Sequence, residues 1–426
     1  MSTRRSSVPL ILFLSALVLL VGGLIGAGIY LAGQFSGGLK DFAPGWMGAY
    51  FWLQKGVSPY NIQVSEDAWK LVFTGTSGRL PFTYPLYALF FFGPFSLADY
   101  PLARGLWLAF IEGGMIGLAG LSLALSGWKM DWRGTGFVLV FAAGWYVSLR
   151  AAFAGQLTPI TAIFLVLALW MASRGQDGSA GVFLALATID ISRSLLTVIF
   201  LLFWAGFGGK RRLLGSFFAV LAFFWVVTVV LQLDWPWQWL QTLFGSLNLS
   251  SGYGSVLSNA AGVVPGLQGQ LSAAAHGVIL LYLAAEWVRA FRWAKASQGP
   301  QSHGSLRRPD SLFLWTAMMT LVVTCVSAYH FVLGDLALLL PVFLLVFGAW
   351  QERWAGGRVV GWGLLTAMLV IPWLSAVQAY RTGQAESGYQ AVLLPLLAFL
   401  GLWWVRWWMA RPPLLPFDML RERSGL

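Results

Sequence analysis

The chain has 426 residues, of which 58% are hydrophobic and 10% charged, with a formal net charge of +11 and a mean hydropathy of +0.72. An ordinary soluble domain carries roughly 25% charged residues, so this composition excludes a water-solvated globule and predicts an all-α polytopic membrane protein. The positive charge does not point to nucleic acid: Lys and Arg occupy short gaps between apolar runs, the pattern of cytoplasmic loops, and no basic face with interleaved aromatics is present.

Arg4 and Arg5 precede an apolar run from Val8 to Ala32. At 1.5 Å per residue it exceeds the roughly 30 Å of a bilayer core. It reads as a retained first helix with its amino terminus inside. The polar stretch 33–81 follows as the first outer loop, where membrane-parallel helices are expected; it carries Asp41, Lys55, Glu66, Asp67, Lys70 and Arg79. Phe82 to Leu97 is apolar but short and interrupted by Pro85 and Pro94, so it is either re-entrant or interfacial and does not cross.

Pro101 to Leu125 is a full span leading to Lys129 and Arg133. Gly136 to Leu149 returns, Arg150 to Thr158 forms an outer turn, and Pro159 to Ala172 descends to Arg174. Ala180 to Phe207 has cytoplasmic-type flanks on both sides, ending at Lys210, Arg211 and Arg212. It therefore turns back as a pair of half-helices or holds two tilted short helices, with Asp190 and Arg193 near its middle.

Leu213 to Leu233 leads to a second outer loop, 234–268, opened by Trp235, Trp237 and Trp239; tryptophan favours the interface, which predicts a surface helix there. Gln270 to Phe291 descends to a basic cytoplasmic loop, 292–310. Leu312 to Ala328 rises to an outer segment, Tyr329 to Asp335, and three more spans follow, separated by Arg353 and Arg358 inside and Arg381 and Glu386 outside. The sum is one transmembrane domain over 1–426, ten crossings plus one hairpin, in the plasma membrane with both termini cytoplasmic.

Candidate chemistry collects on the outer side. Asp41 would sit at the membrane boundary, either as a solvated charge beside Lys40 or as a base within reach of a lipid-borne substrate. Asp190 and Arg193, spaced i, i+3 in an apolar run, are expected to pair, because an isolated charge there costs about 2.5 kcal/mol or more; they either line the bundle or meet an anionic head group. Glu112 is ambiguous in the same way and lacks a local partner. Arg79, Arg150 and Arg381 suit phosphate oxygens or lipid head groups, and Gln156, Tyr329 and His330 share their side. Three histidines and one cysteine supply no zinc-type cluster, and Cys325 reads as packing. No cofactor is expected to be required; a carboxylate-bound divalent ion is possible, but no residue pattern supports one. The chain has no Walker lysine loop, no serine elbow and no dinucleotide fingerprint. Asn248-Leu249-Ser250 fits a glycosylation sequon, and no internal repeat is visible.

The order of several short motifs resembles a known family. Asp41-Phe42 is followed by Gly56-Val57-Ser58-Pro59-Tyr60, Phe82-Thr83-Tyr84-Pro85-Leu86, Trp107, Gly155-Gln156, Arg174-Gly175-Gln176-Asp177 and, after a His-containing loop, Pro341. This is similar to glycosyltransferase family 87, the polyprenyl-phosphate-mannose-dependent mannosyltransferases of the membrane-embedded C-type superfold. The likeness covers Asp41 to Arg212 and, more loosely, Ser327 to Pro341. It implies transfer of a hexose, with inversion, from a polyprenyl-phosphate donor to a lipid or glycan acceptor at the extracytoplasmic face. Asp41 would be the catalytic or acceptor-orienting carboxylate, with Tyr84 and Gln156 in the same cavity. Where family members carry a Lys-Pro pair this chain has Asp190-Ile191, with Arg193 nearby: either Arg193 replaces the lysine at the donor phosphate or the donor differs. The competing classes are a transporter of a lipid-linked or small solute, suggested by Asp190, Arg193 and Glu112, and a polymerase or ligase acting on lipid-linked glycans.

Overall fold

A computed structural model describes residues 39–73, 76–249, 255–262, 266–296, 311–328, 331–382 and 389–409. The predicted first span, the termini, Tyr329 and His330, and most of the basic loop 292–310 lie outside the described residues. Those described are helical, with no strand among them.

Helices α1 (Ala43–Lys55) and α2 (Ile62–Val72) fold from the predicted outer loop. Gly56 ends α1 in the left-handed region at φ 64°, and Asn61 caps α2 by accepting from the Gln63 N–H. A 3-10 turn at Leu86–Ala88 runs into the short helix α3 (Leu89–Ser96). Eleven helical residues reach only about 16 Å, so this segment is too short to cross.

Then come α4 (Tyr100–Ser126), α5 (Trp132–Gly144), α6 (Tyr146–Ala154), α7 (Thr158–Ser173), α8 (Asp177–Ala187), α9 (Ile191–Phe207), α10 (Arg211–Leu231), α11 (Trp235–Leu249) and α12 (Val256–Ala261). The remainder are α13 (Gln268–Ala296), α14 (Ser311–Ser327), α15 (Leu340–Arg353), α16 (Gly357–Thr382) and α17 (Tyr389–Met409). Seven described segments are long and apolar enough to cross a membrane, eight if the α5–α6 pair, bent by 43°, is one span. The expected ten differ for identifiable reasons. Helices α7 and α14 are apolar but only 16 and 17 residues long, and the first predicted span is not among the described residues.

The segment Asp177–Phe207 counts as one span of 31 residues by length, yet it reverses. A straight helix of that length would separate its ends by roughly 46 Å, whereas Lys210 Nζ lies 2.8 Å from Asp177 Oδ1. The reversal is at a 3-10 turn, Thr188–Asp190, where Asp190 leaves helical geometry at φ −121°, ψ 85°. The legs then diverge: α8 packs along α10, where Gly181 leaves no room for a Cβ against Ser216 and Leu213, while α9 packs on α14 through Trp204 and Phe313, 4.2 Å between ring centroids.

Two further expectations are corrected. Arg150 is not in a turn but on the exposed side of helix α6; the turn is Gly155–Leu157. Of the tryptophans opening α11, Trp237 is open but Trp235 is fully buried, packed against Tyr87 and Trp225, because α11 lies over the 84–88 segment. Glu112 is buried in α4, and neither carboxylate oxygen has a hydrogen-bond partner among the described residues.

Candidate active site

Three distant stretches are tied together at one end of the bundle. The Leu39 N–H donates to the Phe153 carbonyl at 2.7 Å and the Asp41 N–H to the Ala154 carbonyl at 2.9 Å, so the turn before α1 is clamped to the carboxyl end of α6. Gly155 caps α6 at φ 77°, and a Cβ there would meet Phe42 Cβ at 2.6 Å and the Phe42 nitrogen at 2.9 Å. Only glycine satisfies both the left-handed backbone and that approach. Trp107 closes the third side: its indole N–H donates to the Gly155 carbonyl at 3.0 Å, and its ring stacks on Phe42 at 4.8 Å.

The 83–87 segment is held just as closely. The Trp239 indole N–H donates to the Thr83 carbonyl at 2.9 Å, the Tyr60 hydroxyl to the Tyr84 carbonyl at 2.9 Å, and the Tyr87 hydroxyl meets Thr188 Oγ1 at 2.9 Å. With Thr83, Tyr84 and Trp239 linked and Tyr87 anchored to the hairpin tip, the Tyr84 side chain faces Asp41, Asp190 and Arg193, whose charges all act on it.

Between these elements opens a cavity of about 120 Å³, lined by Tyr84 and Pro85, the hairpin tip Ile189–Arg193, Leu243 and Ser246 of α11, and Ala328. Asp190 is buried; its Oδ1 accepts from Ser192 Oγ at 2.6 Å, and it stands at the amino end of α9, where the helix dipole favours a carboxylate.

The expected Asp190–Arg193 pair is present, but only at 3.9 Å. The stronger partner of Arg193 is Asp335, unremarked in the sequence except as the edge of an outer segment. Arg193 Nε donates to Asp335 Oδ1 and Nη2 to Oδ2, both at 3.1 Å. Asp335 is fully buried and also accepts from Thr158 Oγ1 at 2.9 Å and from the Val332 N–H at 3.0 Å. It is not a solvated loop residue, because the 3-10 turn Leu333–Leu339 that opens α15 carries it into the bundle. Cys325, buried as expected, points its thiol at the Asp335 carbonyl, 3.8 Å away.

Asp41 faces this group. Burial pushes its carboxyl above the ordinary value, against the lowering influence of Lys40, of a hydrogen bond from Gln156 and of Arg193. Gln156 is itself buried, with Oε1 unpartnered among the described residues. Burial, reinforced by Asp190 and Asp41, holds the Tyr84 hydroxyl well above its usual range.

The structure thus brings together Asp41, Tyr84, Gln156, Asp190 and Arg193, and adds Asp335 and Thr158. Arg79 stands apart, exposed and paired with Glu66 at 3.3 Å, and is not among the charges acting on Asp41. Arg150 and Arg381 are on exposed helix faces. Tyr329 and His330 fall outside the described residues. Among those described, no group of three or more His, Cys, Asp or Glu side chains is placed to hold a metal ion.

A family model described as glycosyltransferase family 87 matches residues 82–324, more than half of the chain. No curated protein and no solved structure matches. The matched region contains Tyr84, Trp107, Gly155, Gln156, Asp190 and Arg193, while Asp41 and Asp335 flank it on either side.

Proposed function

Since the chain belongs to glycosyltransferase family 87 and is a glycosyltransferase with multiple membrane-spanning helices, we propose that it moves a hexose, mannose in the first instance, from a polyprenyl-phosphate donor to a lipid or glycan acceptor. The reaction is placed at the extracytoplasmic face of the plasma membrane and inverts the anomeric centre. The observation that carries this reading is one raised carboxyl, Asp41, lying within the electrostatic reach of one guanidinium, Arg193, which lines the cavity.

In this mechanism the acceptor hydroxyl gives its proton to the Asp41 carboxylate as its oxygen attacks the anomeric carbon. The bond from that carbon to the phosphate oxygen breaks, and polyprenyl phosphate departs. A general base works best with a pKa near the operating pH, and the upward displacement of Asp41 moves it in that direction. Arg193 offers the departing phosphate a planar, permanently charged donor, in place of the family lysine. Electrostatic stabilisation of a phosphate that already leaves readily is the main remaining requirement.

At about 10–15 Å³ per water-sized group, the cavity takes roughly ten such groups, the scale of a monosaccharide. Tyr84, which burial keeps protonated, supplies a hydroxyl donor for the sugar, and Asp190 an acceptor. The apolar surfaces of the surrounding helices suit the prenyl chain. The chain's own residues account for each of these steps.

The test is transfer by the purified protein in liposomes, using radiolabelled polyprenyl-phosphate mannose and a membrane-lipid or glycan acceptor extract. A labelled product containing a new glycosidic bond is expected. Labelled substrate moved across the liposome with no new bond would favour a transporter instead, and an oligosaccharide delivered as a block would favour a polymerase or ligase.

A further inference from the structure

The base and the cation of the proposed reaction come from distant parts of the chain, and two adjacent residues outside the family-matched region touch the partners of both. Asp335 has no exposed surface and fills both of its oxygens. Oδ1 takes Thr158 Oγ1 and Arg193 Nε, while Oδ2 takes Arg193 Nη2 and the Val332 N–H. A guanidinium held through Nε and one terminal nitrogen has its plane and rotation fixed. Its third corner, Nη1, is thereby delivered to Ser192 Oγ, 2.5 Å away, at the wall of the cavity that Ser192, Arg193 and Tyr84 line.

Gly334, the preceding residue, meets the other half of the site. A Cβ on it would collide with Gln156 Oε1 and would meet Ala151 Cβ at 2.8 Å. Gly334 is not among the glycines with positive φ, so its lack of a side chain serves space rather than backbone conformation. The carboxamide it admits belongs to Gln156, two positions beyond the Ala154 carbonyl that takes the Asp41 N–H at 2.9 Å, and it acts on the Asp41 carboxyl. One 3-10 turn thus supports Gln156 and, through it, Asp41 on one side, and Arg193 on the other.

We propose that Gly334 and Asp335 are positioning residues: Asp335 orients Arg193 toward the donor phosphate, and Gly334 seats Gln156 against Asp41. Neither touches substrate, and the assignment rests on the proposed transferase reading. It separates the two residues kinetically. Loss of the Asp335 charge lets the guanidinium turn away from the donor phosphate, which weakens donor binding. Crowding at Gly334 displaces the carboxamide beside the base, which slows the transfer step and leaves donor binding intact.

The experiment is steady-state transfer from polyprenyl-phosphate mannose by full-length protein carrying Asp335→Asn or Gly334→Ala, and by Asp335→Asn combined with Arg193→Gln. Asp335→Asn is expected to raise the donor KM about tenfold with kcat within about threefold, and to add nothing once Arg193 is already Gln. Gly334→Ala is expected to lower kcat about tenfold with the donor KM unchanged. Thr158→Val, which removes one hydrogen bond to Asp335 and keeps its charge, carries the same test if Asp335→Asn does not fold, with a rise in KM of about threefold. Wild-type protein that transfers the sugar, alongside Asp335→Asn and Thr158→Val proteins that keep its donor KM, would overturn the assignment and leave the transferase reading standing. Wild-type protein that neither transfers from this donor nor binds polyprenyl phosphate would overturn both.

Discussion

The Arg193 guanidinium lies edge-on to the Asp335 carboxylate, joined by two hydrogen bonds of 3.1 Å across 142 positions of sequence. With Asp335 fully enclosed and Arg193 mostly so, removing either partner leaves an uncompensated charge away from water, typically a loss of about 3–5 kcal/mol.

Arg193→Gln is therefore expected to lower unfolding stability by about 3 kcal/mol and to weaken donor binding. Arg193→Lys keeps the charge but loses the fork that meets both carboxylate oxygens, so its stability loss should be smaller, about 1 kcal/mol. Chemical unfolding in detergent, read against donor KM for the two variants, checks the order. Equal losses of stability would contradict this order and show that the charge retained by lysine contributes nothing without the fork.

The sequence pattern made the all-helical membrane class and the reversal of 177–207 legible, since apolar length and basic flanks are local properties, though not the number of spans. It also brought Asp41, Tyr84 and Gln156 forward through ordered motifs, and Asp190 and Arg193 as charges in an apolar run. Asp335 stayed hidden because nothing local marks it: a lone aspartate between an outer segment and an apolar run reads as solvated. Its partners Thr158 and Arg193 are 177 and 142 residues away. Arg79 misled in the opposite sense, being an arginine in the right loop whose partner, Glu66, lies only 13 positions away on the exposed side.

Acidity provides a second prediction. Burial raises the Asp41 carboxyl above its ordinary value, near 3.9, and the base must be unprotonated to act. The rate should therefore fall as pH drops through the raised value, before an ordinary aspartate would protonate. The stability effect has the opposite sign. A carboxyl whose folded pKa exceeds its unfolded pKa binds more protons when folded, so the fold gains stability as pH falls through the raised value toward the ordinary one. Asp41→Asn should abolish that gain and raise the melting temperature at neutral pH. Unfolding measured against pH for both proteins decides it, and a wild-type fold that weakens over this window by an amount Asp41→Asn removes would count against the raised carboxyl.

Gly155 is predicted to be intolerant. Alanine there pays about 1–2 kcal/mol for its left-handed backbone, and its Cβ meets Phe42 at 2.6 Å, an overpacking that typically costs about 1–3 kcal/mol. Gly155→Ala should lose about 2–5 kcal/mol in chemical unfolding, and because the clamp on Asp41 runs through the adjoining residues, its activity should fall as well. Gly56→Ala, also left-handed but with open space around its Cβ position, should lose only the backbone share.

The role of Asp41 is tested most directly by the transfer rate of Asp41→Asn protein with a saturating polyprenyl-phosphate mannose donor. Asparagine preserves the shape of the side chain and its hydrogen-bonding reach but cannot take a proton from the acceptor hydroxyl. A fall in kcat of at least about 100-fold is predicted, with the protein folded and donor still bound; transfer at the wild-type rate would contradict the assignment of Asp41 as the base.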